Sequence, residues 1–130
     1  MNERLLVSYE LASTLYALGF EVPSSHYFTY EGKSMAFSGS YIWAIKLQRI
    51  VPERCILRPT LLDAHDFLEF KLGSRVLPTQ KVAGDFGVEI YNKTGDPGLP
   101  FKRESPFTQH FKTFHEAMDW GINYKLKTLL

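Results

Sequence analysis

At 130 residues the chain has the length of one domain, enough to bury a core without disulfides or a structural metal. A composition 45% hydrophobic and 22% charged excludes a disordered or membrane-embedded chain. Fifteen Lys and Arg against fourteen Asp and Glu leave a net charge of +1. No global field therefore draws the molecule onto nucleic acid or an anionic membrane, and any such binding needs a local patch.

The first helix starts after Ser8 as N-cap, with Glu10 in its first turn. It carries Leu11, Leu15 and Leu18 on one side and stops at Gly19, where Phe20 folds back as the apolar partner of the C-cap. Residues 26–38 read as two short strands around a Glu31-Gly32-Lys33 turn. From 39 to 58 the pattern fits partial alternation and a helical turn equally. That stretch is read as irregular, with a strand permitted near its start. Thr60 and Asp63 open a second helix over 61–72, closed by Gly73. Residues 75–82 and 86–92 form a second strand pair turning at Gly84-Asp85, with Phe86, Val88 and Ile90 on one face. Residues 93–112 hold Pro97, Pro100 and Pro106 with Gly95 and Gly98 and show no periodicity, so they read as a long loop. A capping box of Thr113 and Glu116 opens a third helix running to about Leu126.

The order α-ββ-α-ββ-α points to one α+β domain over 1–130, an antiparallel sheet with helices packed on one face as a two-layer sandwich. Thr60 to Phe67 and Thr113 to Trp120 share Thr, apolar, any, acid, Ala, any, Asp, aromatic. Either a duplicated strand-strand-helix unit or common helix-start chemistry accounts for that.

Leu15 to Phe20, Arg58-Pro59-Thr60 with Phe67, Val88 to Asn92, and Phe111 to Ala117 together resemble a family of small uncharacterised proteins. Its members occur in gut Bacteroidetes, often in prophages and mobile elements. The resemblance implies a phage-like genomic setting and no known activity or catalytic residues. Residues 39–57 and 93–110 lie outside it.

The lone Cys55 excludes an internal disulfide and a cysteine metal site, which fits a reducing, cytoplasmic compartment. No stretch approaches the roughly 20 apolar residues that span a bilayer, so no membrane partner is expected. Cys55 lies between Arg54 and Arg58, and nearby positive charge favours its thiolate. His65 and Glu69 share a helix face by their i, i+4 spacing, with Asp66 beside them. A metal would need a third ligand from His115 or Asp119, whereas His65 next to the stripe of Leu61, Ala64, Leu68 and Leu72 is the usual place for a histidine with a single hydrogen bond. His110 and His115 flank the third helix start, yet no serine or cysteine motif points to either as a base. Gly95-Asp96-Pro97-Gly98 has turn chemistry without the strand and helix of a phosphate cradle. No metal or other cofactor is implied.

The 10 Phe, 7 Tyr and 2 Trp either fill a small core or build a binding surface. Two basic and aromatic patches stand out. Lys46, Arg49, Arg54 and Arg58 follow Tyr41 and Trp43, and Lys102, Arg103 and Lys112 lie among Phe101, Phe107 and Phe111. The expected function is a non-enzymatic module for a protein partner or for self-association into a homo-oligomer. Its contacts would be Trp43, Phe101, Phe107 and Phe111, with Arg49, Arg54, Lys102 and Arg103 as a charged rim. A nucleic-acid-binding accessory protein is the alternative, and a small metal-dependent enzyme a more distant one.

Overall fold

The computed structural model describes residues 3–37, 41–81, 84–104 and 106–130, with the side chains of all of these except 3, 41 and 42. A 3-10 turn at Glu3–Leu5 leads into α1 (Tyr9–Ala17). Ser8 caps α1, its side chain accepting from the Leu11 N–H at 3.2 Å. At the other end Gly19 takes φ +81°, a left-handed conformation that a side chain would strain. Its N–H bonds the Tyr16 carbonyl while the Phe20 N–H reaches Leu15, the paired closure of a Schellman motif.

β1 (His26–Phe28) and β2 (Ser34–Ala36) form the expected hairpin. Ser38, the end of the first expected strand pair, and Val82, the end of the expected strand 75–82, lie outside the described residues.

From residue 41 on, the stretch read as irregular is ordered, and 39 and 40, where the sequence permits a strand, lie outside the described residues. The ordered part holds α2 (Tyr41–Ile50) and β3 (Ile56–Arg58), which pairs antiparallel with β1 and gives a first sheet of order β2-β1-β3. α3 (Leu61–Leu72) starts at Thr60, whose hydroxyl accepts from the Asp63 N–H at 3.1 Å. β4 (Ser74–Gln80), β5 (Phe86–Asp96) and β6 (Leu99–Arg103) form a second antiparallel sheet of order β4-β5-β6. α4 (Phe114–Lys127) starts at Thr113, which accepts from the Glu116 N–H at 3.1 Å.

The segment 93–112 is therefore not one loop. β5 runs on to Asp96 and returns as β6, because Pro97 and Gly98 make a hairpin turn in which the Asp96 carboxylate accepts the Gly98 N–H at 2.9 Å. Pro78 and Pro100 lie in β4 and β6, the two outer strands, where a missing N–H breaks no inner ladder.

The chain is thus α+β, with four helices and two antiparallel three-stranded sheets among the described residues in place of a single sheet. The two sheets are wired differently. β1, the first strand in chain order, is central in one, and β5, the middle strand, is central in the other. The shared Thr60 and Thr113 patterns are accordingly helix-start chemistry on two different frameworks.

Val76, Val88 and Ile90 of the second sheet meet Ala64 and Leu68 of α3 and Ile122 and Leu126 of α4, and Leu11, Leu15 and Phe20 continue the same core. At Gly121 the backbone of α4 lies directly against the sheet. A Cβ there would stand 2.6 Å from Val76 Cγ1 and 2.9 Å from Val88 Cγ2. No described helix is long and apolar enough to cross a membrane.

Candidate functional site

α2 is amphipathic in the unusual sense. Its inward face is Ala44, fully buried, and Gln48, at 4% exposure. The Gln48 carboxamide bridges two backbones, its Nε2 donating to the Phe20 carbonyl at 3.1 Å and its Oε1 accepting from the Leu57 N–H at 2.8 Å. A buried amide with both ends satisfied docks the helix without needing large apolar side chains beneath it. Three of its apolar residues face out, and Ile45 is half-buried. Trp43, Leu47 and Ile50, spaced i, i+4, i+7, lie on one stripe with exposures of 57%, 37% and 73%. The Lys46 ammonium sits 4.6 Å from the Trp43 ring centre, and Arg49 pairs with Glu21 at 2.5 Å. Arg54 is exposed beyond the helix end.

The other expected contact residues divide. Phe107 and Phe111 turn inward, half-buried against the core, with both rings on Trp120 and Phe107 also on Tyr124. A backbone bridge from Phe111 to Phe86 anchors that segment to the second sheet. These two phenylalanines belong to the molecule's own packing, because they cover the aromatic face that Trp120 and Tyr124 of α4 present. Phe101 is half-buried beneath the Arg75 guanidinium, which lies 4.4 Å from its ring centre. Arg103 is exposed and pairs with Glu89 at 3.5 Å. Lys102, opposite Asn92, points to the other side of β6 from Phe101 and Arg103.

His65, Asp66 and Glu69 do converge, with candidate ligand atoms all within 4.8 Å of one another. Neither His115 nor Asp119 joins them. Two of the three are already engaged, since His65 Nε2 accepts the Val76 N–H at 3.0 Å and Glu69 takes the Arg75 Nε at 3.0 Å. Burial holds the His65 imidazole below its ordinary value of 6.5, against the opposing pull of Glu69 and Asp66. The ring is a neutral clasp between α3 and β4, its unprotonated Nε2 facing a backbone donor.

That clasp has a testable sign. An unfolded chain takes up a proton here below about pH 6.5 that the folded one refuses, so the stability His65 provides is present above that value and lost as pH falls through the lowered one. Urea midpoints should drop between about pH 7 and pH 5. His65→Gln, which keeps an acceptor without titrating, should flatten that part of the profile. An unchanged profile would remove the clasp assignment.

His115 and Asp119 line a cleft of about 570 Å³ between the start of α1 and the first turns of α4, with Arg4, Arg58 and Trp120. Asp119 is the fixed point of this cleft. One carboxylate oxygen accepts the Ser8 N–H and the other the Ser8 hydroxyl, both at 2.7 Å. Burial raises its pKa above the usual carboxylate value in spite of these bonds. With both oxygens held by Ser8, the group works as a clip between α4 and the α1 cap. Nothing in the sequence signals this pairing across 111 positions.

Cys55 reverses its expectation. It is 3% exposed, its thiol directed to the Ala44 carbonyl, and burial pushes its pKa up, away from the thiolate. The desolvation cost of a buried anion outweighs the arginines adjacent in sequence.

No protein family, curated protein or solved structure matches the chain, and nothing in these comparisons ties it to Bacteroidetes or to phage elements.

Proposed function

We propose that the chain is a non-enzymatic protein-interaction module that docks an apolar, acid-flanked helix of a partner protein along the outward face of α2. The observation that supports this is the inverted amphipathicity of that helix, with Trp43, Leu47 and Ile50 outward and Ala44 and Gln48 inward. Three large apolar side chains on one exposed helical stripe are the anchors of helix-in-groove or helix-on-helix recognition. Charge selects the occupant. α2 carries Lys46 and Arg49 and no acidic residue and Arg54 follows it, three cations against Glu21, which pairs with Arg49, and Glu53. The face keeps a positive excess that a second copy would repeat and an acid-flanked helix complements.

The test is fluorescence anisotropy of a labelled amphipathic peptide built of leucine and glutamate. Binding should weaken about tenfold, or ~1.4 kcal/mol, for Leu47→Asp and for Ile50→Asp. Leu62→Asp, at an exposed position of α3, should leave it unchanged. The proposal fails if the peptide does not bind or binds the Leu47→Asp variant equally. It also fails if the stripe drives self-association of the chain alone, or binds phosphatidylglycerol vesicles in preference to the peptide.

A further inference from the structure

The second sheet has one face packed on α3 and α4 and one face turned to solvent, and the ladder register decides what stands on each. Residues directly opposite in an antiparallel pair share a face, and neighbours along a strand alternate. Val76, Val88 and Ile90 face the helices, so the alternate positions face out. Arg75 lies opposite Tyr91, which lies opposite Arg103, making one row across all three strands. The next row sets Lys93 opposite Phe101. Tyr91 and Phe101 are therefore diagonal neighbours on adjacent strands, roughly 7–8 Å apart. Arg75, Lys93 and Arg103 surround them, all exposed; the two rings are half-buried, with the Arg75 guanidinium 4.4 Å from the Phe101 ring centre and the Tyr91 hydroxyl donating to Glu89 at 2.7 Å.

We propose that this open face binds single-stranded nucleic acid, with Tyr91 and Phe101 stacking bases and Arg75, Lys93 and Arg103 holding phosphates. Rings that accept any base, interleaved with cations that accept the backbone, are the two components single strands require. Glu89 shares this face by the same alternation and Glu69 reaches its edge, and the three cations outnumber these two carboxylates. Arg75 pairs with Glu69 and Arg103 with Glu89 across exposed contacts of 3.0 and 3.5 Å. Exposed pairs of this kind contribute little, so exchanging a carboxylate for a phosphate costs little. An open three-stranded face suits a strand whose bases are already unstacked. A duplex keeps its bases inside. The net charge of +1 over the whole chain leaves this local patch as the source of attraction.

The experiment is anisotropy of labelled oligouridine, oligothymidine and a duplex of matching length, about twelve nucleotides each, titrated from about 50 to about 200 mM salt. Either single strand should bind at least about tenfold more tightly than the duplex, with log K falling against log salt at a slope near −2 for three phosphates at about −0.7 each. Equal binding of RNA and DNA assigns the contact to base and phosphate alone, and preference for RNA adds the 2′-hydroxyl. Phe101→Leu and Tyr91→Leu, which keep bulk without a π face, should each weaken binding about tenfold. Arg103→Gln, at an exposed site that tolerates substitution, should flatten the slope by about 0.7. Three results overturn the proposal: no single-strand binding, equal binding of the duplex, or binding that survives these changes but is lost on Lys46→Gln with Arg49→Gln.

Discussion

Replacing Phe20 with alanine is expected to destabilise the fold by about 3–5 kcal/mol, the range for emptying a buried aromatic site. Phe20 is 1% exposed and stands edge-on to Phe67 of α3 with ring centres 5.2 Å apart. Its backbone does as much as its side chain. The N–H closes α1 onto Leu15, and the carbonyl receives Gln48 from α2. One residue thus joins the end of α1, the flank of α3 and the inner face of α2. In urea the midpoint should fall with the slope of the transition unchanged, because the loss is in native packing. Phe20→Leu, which refills most of the space, should cost clearly less. Equal costs for the two substitutions would show that the ring itself is not what the site requires.

Asp119→Ala is expected to cost about 3 kcal/mol, since it removes two hydrogen bonds to a charged acceptor and leaves the Ser8 N–H and hydroxyl without theirs. The Ser8 hydroxyl also accepts from the Leu11 N–H, so the start of α1 should fray along with the contact to α4. Asp119→Asn keeps an acceptor and should cost less. The two variants also differ in pH dependence. Burial lifts the folded carboxyl above its ordinary 3.8, so the fold favours the protonated group. The stability it contributes is full below that value and lost as pH rises through the raised one. Asparagine has no such dependence, and its urea profile should lack this rise toward acid. A loss under about 0.5 kcal/mol for Asp119→Ala, the scale of an ordinary surface change, would show that the clip holds nothing.

Helix starts were the most legible feature of the chain. Ser8, Thr60 and Thr113 cap three helices as their neighbours imply, because a cap is a local bond between residues three apart. α2 escaped for a physical reason. Hydrophobic periodicity identifies a helix by the face it buries, and this helix buries Ala44 and Gln48 while showing Trp43, Leu47 and Ile50 to solvent. β6 escaped because Pro97, Gly98 and Pro100 suggest a loop, although the first two form the turn and the third sits on an outer strand. Of the expected contact residues, Trp43 and Arg49 lie together on α2, Phe101 and Arg103 together on the second sheet, and Phe107 and Phe111 against Trp120. Composition could show that aromatic and basic residues intermingle. It could not show which ring turns in, since that depends on strand register and on partners far along the chain.

Gly121 gives the arrangement its depth. A glycine inside a helix is about 1 kcal/mol poorer than alanine there, and α4 carries it where a methyl group would strike Val76 and Val88. The absent side chain acts as a spacer of zero thickness between helix and sheet. Asp119 and Trp120 immediately precede it, so the same spacing sets how far the Ser8 clip must reach and how the aromatic face meets Phe107 and Phe111. The width of the cleft at one end of α4 and the packing of Phe107 and Phe111 over its side are therefore set together, by the one residue that adds nothing between them.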